Sequence, residues 1–433
     1  MKIVVCAFSV YPDYPSSEGI VNRNWIEILK KENVELNILS LKQTEIINET
    51  GASSITSNTF SNYLYKILKS SKNSISHLCY RVANKTLIKF LSPNSTLTIF
   101  QYIWVSQQTS RIEKFAGKGP DFVFWSRILP IESLIPFFKA YKKVKFPLIV
   151  NINDPIFLQD NKKVYQMEEG FLKRTAKVAQ CWTFPSSKLA DYAADKYGLD
   201  RKRCFVIPHA TKTQSKLYSF HSEKNRKLNF LYTGTFYKSA FTDEFKVALK
   251  RFSKLEISKN VEFTFILSQF DQSSIDWLKE AIPHVKIFTK LTSEKVLEIT
   301  SHMDCVFVVD ASSHSMLLKG KLIEAISFGI PVFAITYKQS IMDKVVQEYG
   351  GVSGYQDVEN DISTKLLLVC ENLNDENWVT NFCKKRERVM FQISEGVIFE
   401  KTRMVSEFAL KRFLWENNKE NIKPTYLENC NWP

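Results

Sequence analysis

The sequence predicts an α/β protein made of two successive parallel, doubly wound domains. Three observations lead there. Short β-rich apolar runs alternate with amphipathic stretches. The rhythm pauses in a polar stretch at residues 212–227 and then restarts. The runs are apolar throughout rather than at every second position, as in strands covered on both faces. The 433 residues leave room for two or three domains at about 150 residues each. With 44% hydrophobic and 24% charged residues, the composition excludes a disordered tail, a collagen-like fibre and a disulfide miniprotein.

In chain order, strands are predicted at 2–9, 34–40, 121–125, 147–151, 180–184 and 204–207, with helices at 22–31, 133–143, 162–179 and 187–197. After the linker come strands at 228–233, 261–267, 285–288, 305–309 and 331–336. Helices at 243–255, 275–280, 293–301 and 319–328 separate them. A final amphipathic stretch at 395–415 is expected to pack back on the first domain. The domains are placed at 1–211, joined by 396–433, and at 212–395, two Rossmann-like halves facing a cleft.

The opening MKIVVCAFSV loosely imitates a leader peptide. It lacks a cleavage site and is broken by Tyr11-Pro12-Asp13, so it reads as a first strand. No run reaches the ~18 apolar residues of a membrane-spanning helix. The eight cysteines are scattered singly and read as thiols in a reducing cytoplasm. The six histidines show no HxxxH spacing, so no metal site is expected.

Charge is uneven. Residues 1–211 hold 29 basic and 17 acidic side chains, against 30 and 28 in the remainder. Residues 50–111 contain no Asp or Glu, but do contain Lys66, Lys69, Lys72, Arg81, Lys85, Lys89 and Arg111 among many aromatics. Such a segment suits an anionic partner, a membrane surface above all. The plainer alternative is a solvated basic face with the aromatics in the core.

The chain has no GxxxxGK[ST] loop, no GxGxxG after the first strand, no GxSxG and no DxD. The densest chemical pattern is MLLKGKLIEAISFGIPVFAI at 316–335, with Gly329 and Pro331 as helix-stop signals. Lys321 and Glu324 share a face of the first helical turn, where a lysine and backbone amides could hold a diphosphate and a carboxylate could accept two ribose hydroxyls. A surface ion pair is the alternative. Gly234, after an apolar strand, lets backbone approach a phosphate, and Lys238 could neutralise it.

That segment resembles the K-L-x-E-x-hydrophobic-x-x-G-x-P-V stretch of the group 1 (family 4) retaining glycosyltransferases. The opening strand, loop and helix, PLIVNINDPIF, CFVIPHAT and FLYTGTFYK are similar to further segments of that family, in the same order. The resemblance implies the GT-B fold and a metal-independent glycosyltransferase without cofactor. It would use a nucleotide-diphosphate sugar and a saccharide or lipid-linked acceptor, in surface polysaccharide synthesis at the cytoplasmic face of the membrane. It implies Gly234, Lys238, Lys321 and Glu324 at the nucleotide and diphosphate, and Asp154 as the catalytic polar group of the first domain. Gly19, His209, His314 and Ser315 are expected at donor or acceptor. Met316 stands where the family often carries the first of two glutamates. A nucleotide-sugar epimerase of the same fold is the nearest alternative. A nucleic-acid-binding protein is a second, although no nucleic-acid motif accompanies the charge and none is expected as a partner.

Overall fold

The fold is that of a computed structural model. It describes all residues except 11–16, 49, 71–73, 92–96, 120, 129–130, 156–161, 212–217, 219, 221–225, 237–238, 283 and 290; the side chains of 17, 69, 87–91, 162–164 and 293 also stand outside the description. The chain divides into two compact units, Met1–Ile207 with Ile398–Trp432, and Pro208–Val397 with Pro433.

The first unit is built on β1 (Lys2–Ala7), β2 (Glu35–Leu39), β3 (Gln43–Ile47), β4 (Ser53–Ser57), β5 (Phe122–Ile128), β6 (Leu148–Ile152), β7 (Cys181–Phe184) and β8 (Cys204–Val206). They form one sheet in the order β4-β3-β2-β1-β5-β6-β7-β8. Pairing is parallel from β2 through β8, while β3 and β4 pair antiparallel at the edge. The alternation in the sequence predicts only the parallel strands. QTEII and SSITS escape it because an edge strand needs no apolar run, and β4 is exposed along its whole length.

Helices α1 (Ser17–Lys31), α2 (Thr59–Lys69), α3 (Ile75–Leu91), α4 (Ile99–Ala116), α5 (Ile135–Tyr141), α6 (Lys162–Thr175) and α7 (Ser187–Tyr197) complete the chain up to β8. α7 is bounded as its punctuation dictates: Ser186 accepts from the Leu189 amide, and Gly198 closes the helix at φ +69°. α1 starts five residues earlier than expected, with Glu18 in the first turn where the helix dipole favours a carboxylate. Gly19 therefore lies inside α1 and not in a glycine-bearing loop before it.

The second unit carries β9 (Leu228–Gly234), β10 (Val261–Leu267), β11 (Lys286–Thr289), β12 (Cys305–Val309), β13 (Val332–Thr336) and β14 (Val352–Tyr355), all parallel, in the order β11-β10-β9-β12-β13-β14. Its helices are α8 (Asp243–Phe252), α9 (Gln272–Ala281), α10 (Ser293–Thr300), α11 (Gly320–Ser327), α12 (Ile341–Tyr349), α13 (Asp361–Asn372) and α14 (Glu376–Gln392). The core is dense in phenylalanine, with Phe230, Phe263, Phe307 and Phe333 in tilted or edge-on contact across the sheet.

The last helix, α15 (Glu395–Glu416), packs on the first sheet. The Trp25 indole N–H donates to Thr402 Oγ1 at 3.0 Å, and that of Trp125 to Ser406 Oγ at 3.2 Å. Beyond it the Val206 amide donates to the Cys430 carbonyl at 2.7 Å. Phe205 is fully buried between β8 and this C-terminal segment, 4.8 Å from the Phe408 ring and 5.5 Å from Tyr426. Phe205→Ala leaves a cavity there and is expected to cost the first unit about 3–5 kcal/mol. Urea unfolding followed by tryptophan fluorescence would show it; an unchanged midpoint would disprove that α15 is held by this contact.

Each sheet has one place where the strand order reverses: beside β1 and β5 in the first, beside β9 and β12 in the second. Ligand crevices of parallel α/β sheets open at the carboxyl ends of such strands.

Candidate functional site

In the second unit, β9 ends on Gly234 at φ +151°, a conformation L side chains rarely adopt. A Cβ there would also stand 3.1 Å from the Tyr232 hydroxyl, which donates to the Thr235 carbonyl at 2.7 Å. Glycine is thus required by the backbone itself. Lys238 lies outside the described residues. In the adjacent strand, Phe307 pairs with Tyr232, so Val309 and Gly234 stand at matching levels.

The residue after Val309 is Asp310, which is fully buried. Its Oδ1 accepts from the Ala311 amide at 3.0 Å and lies 3.5 Å from Lys319 Nζ. Oδ2 makes no hydrogen bond among the described residues, although the Thr336 hydroxyl lies beside the carboxylate. Burial pushes Asp310 up to about 6 against the opposing pull of Lys319. Lys319 Nζ also lies 3.3 Å from His314 Nδ1. Burial, and next the Lys319 charge, hold His314 below the ordinary histidine range, so at neutral pH its ring is uncharged and Nδ1 accepts from the ammonium. Lys319 stands at the residue before the first turn of α11, where the helix dipole adds positive potential.

Ser315 follows the short 3₁₀ turn Ser312–His314, and its carbonyl accepts from the Ile341 amide at 2.8 Å, tying the loop to α12. Lys321 and Glu324 meet each other: Lys321 Nζ donates to Glu324 Oε2 at 2.8 Å on the helix surface. Gly329 ends α11 at φ +71°, as the sequence indicates. His209 is buried three residues beyond β8.

In the first unit, a second polar set gathers at the carboxyl ends of β1, β5 and β6. Arg127 of β5 is buried; its Nε donates to Asn22 Oδ1 at 2.7 Å, and its guanidinium lies 4.7 Å over the Trp25 ring. Asn22 donates in turn to the Ser9 carbonyl at 2.9 Å. Asn153 Nδ2 donates to both Glu18 oxygens, at 2.8 and 3.0 Å. Asp154, half-buried on the bend after β6, stands close enough to act on Glu18 through its charge. Burial raises Glu18 to about 7; Arg127 opposes that and Asp154 adds to it. Asp154 thus belongs to a group comprising a carboxyl poised near neutrality, a buried arginine and two amides.

Sequence reasoning missed Asp310, Lys319, Glu18, Arg127 and Asn153. The signals were faint: a charge closing the apolar run VFVVD, two lysines rather than one at the start of α11, and a glutamate beside Gly19.

No family model matches the chain, and no curated protein matches it. Solved structures do. A glycosyltransferase from Rickettsia africae ESF-5 superposes with a TM-score of 0.61 at 12% identity, over 95% of this chain and 98% of its own. The lipopolysaccharide outer core galactosyltransferase WaaB gives 0.58 at 11%, over 96% and 100%. The trehalose-6-phosphate synthase OtsA gives 0.55 at 9%, over 98% and 100%. A putative UDP-N-acetylglucosamine 2-epimerase from Listeria monocytogenes gives 0.50 at 11%, over 98% and 99%. At such identities the likeness establishes the fold, and it is GT-B.

Proposed function

We propose that this protein is a glycosyltransferase that moves a sugar from a nucleotide-diphosphate sugar to a saccharide or lipid-linked acceptor. The observation that carries the reading is Lys319, braced between the Asp310 carboxylate and the neutral His314 ring at the amino end of α11. A lysine held there, beside the strand end that lies level with Gly234, offers positive charge to an anion. In the reaction the bond between the sugar anomeric carbon and the diphosphate oxygen breaks. The acceptor oxygen forms the new bond. With front-face attack and retention, the departing phosphate oxygen takes the acceptor's proton. Lys319, Lys321 and the α11 amides stabilise the departing charge without requiring a metal ion. Lys238 joins them in this reading.

Glu324 leaves Lys321 for the ribose hydroxyls when nucleotide binds, and Lys321 turns to the phosphate. His314 and Ser315 border the transferred sugar, in the position opened by Met316. The acceptor lies with the Glu18, Arg127 and Asp154 group of the first unit, with Gly19 among its contacts, and His209 stays in this reading a contact of donor or acceptor. Synthesis of a surface polysaccharide at the inner membrane face agrees with the likeness to a lipopolysaccharide galactosyltransferase.

A panel of nucleotide sugars tested by thermal stabilisation, then titrated calorimetrically, checks the reading. One donor should bind and be consumed only when acceptor is added. Conversion of a nucleotide sugar to its epimer without acceptor would instead make the protein an epimerase. Glu324→Ala is expected to weaken the preferred nucleotide by about 1.5–3 kcal/mol through loss of a charge-assisted hydrogen bond, with an unchanged melting temperature. An unaltered dissociation constant removes the ribose assignment.

A further inference from the structure

The basic segment at 50–111 divides in the folded protein. Tyr80, Phe100 and Trp104 are buried. Arg111 is engaged internally, donating to Asn58 Oδ1 at 2.7 Å and to Thr44 and Gln108. What remains outside is unusual. On α3 the side turned to the protein is polar or aromatic: His77 and Tyr80 are buried, Tyr80 Oη accepts from the Phe100 amide at 3.5 Å, and Asn84 Oδ1 accepts from the Ile99 amide at 2.7 Å. At about 100° per residue, the opposite side carries Ile75, Leu78 and Val82 in one stripe. These three are 82%, 59% and 58% exposed. The amphipathic order of a surface helix is therefore inverted.

Phe60 and Tyr63 on α2, the helix packed beside α3, are exposed as well, and so is Ile55 on β4. Lys66, Arg81 and Lys85 are exposed on the same two helices, and among the described residues none has an acidic partner. Lys66 also helps, after burial, to push Lys42 below the ordinary lysine range, so positive charge accumulates beside α2. Among the described residues no helix is long and apolar enough to cross a membrane.

We infer that α2, α3 and β4 form a docking surface for an anionic lipid bilayer, with Ile75, Leu78 and Val82 entering the acyl boundary and Lys66, Arg81 and Lys85 meeting the headgroups. An apolar stripe flanked by uncompensated cations gains from both layers of such a surface. A nucleic acid would reward the cations and leave the stripe in water. The inference deepens the proposed function, and rests on it only in supplying the reason for docking, access to a lipid-linked acceptor.

The full-length protein, without nucleotide sugar, is sedimented with phosphatidylcholine vesicles and with vesicles carrying 30% phosphatidylglycerol. Binding is expected only to the anionic vesicles. Lys66→Gln/Arg81→Gln/Lys85→Gln should weaken it on the order of 100-fold, at about fivefold per cation. Ile75→Gln/Leu78→Gln/Val82→Gln should weaken it at least tenfold with all charges kept. Exposed Cys79 adjoins the stripe. A polarity-sensitive dye there, in a Cys383→Ser background, should shift to the blue on anionic vesicles only. Equal binding to both vesicles, indifference to the apolar substitutions, an unshifted dye, or an RNA oligonucleotide bound in preference to vesicles overturns the inference. So does self-association abolished by the apolar triple variant without vesicle binding. Nucleotide titration of the same variants fails only if the glycosyltransferase reading itself is wrong.

Discussion

Replacing Lys319 by methionine is expected to lower turnover about 100- to 1000-fold, the range for removing one preorganised donor from developing transition-state charge. Methionine keeps the length of the side chain and leaves the helix cap position filled. Asp310 then loses the charge that holds it down from above about 6, and it becomes protonated around neutrality instead of remaining a buried unpaired anion. The fold should therefore survive. Lys319→Arg restores charge at the wrong length and should recover only part of the rate. Asp310→Asn removes the brace while keeping Lys319, and should fall between the two. Steady-state kinetics on the preferred donor, with melting temperatures measured in parallel, separates these cases. Near-normal turnover in Lys319→Met would return the diphosphate to Lys321 and Lys238 alone.

A second large effect is expected in the first unit. Asp154→Asn should lower kcat about 100-fold with little change in donor affinity, as for a positioned proton-transfer or orienting group. The same change removes one of the influences that raise Glu18, so an activity inflection expected from Glu18 near pH 7 should move to lower pH. Stability gives an independent reading. Glu18 stands near 4.5 in its ordinary state and about 7 in the fold, so the folded protein binds this proton more tightly. Its favourable contribution is present below about pH 4.5 and is lost as pH rises through about 7. Glu18→Gln should flatten that slope, gaining about 1–2 kcal/mol relative to wild type at pH 8 while turnover falls. Denaturation midpoints at pH 5 and 8 decide it; parallel wild-type and variant curves would remove Glu18 from this role.

The division of labour between sequence and tertiary structure follows from the range of each signal. Parallel strands such as β12 and β13 are covered on both faces, so CVFVV and VFAIT announce themselves as apolar runs. The bounds of α7 and the end of α11 rest on Ser186, Gly198 and Gly329, whose effects act within one turn of the chain. These features the sequence determined by itself. β3 and β4 lie at an edge, where pairing is made by backbone and no apolar pattern is demanded. The inverted face of α3 is invisible to a hydrophobic period, because a period marks an apolar stripe without saying whether it faces the protein or the solvent.

The sites divide in the same way. Lys321 and Glu324 are one turn apart, so their pairing could be read from spacing alone. Asp310 and Lys319 come from different elements, and Glu18, Arg127, Asn153 and Asp154 come from three parts of the first 154 residues. Only folding brings those groups within a few ångströms. Only burial turns a glutamate into an acid that titrates near neutrality, because desolvation depends on what packs around a carboxyl and not on its neighbours in the chain.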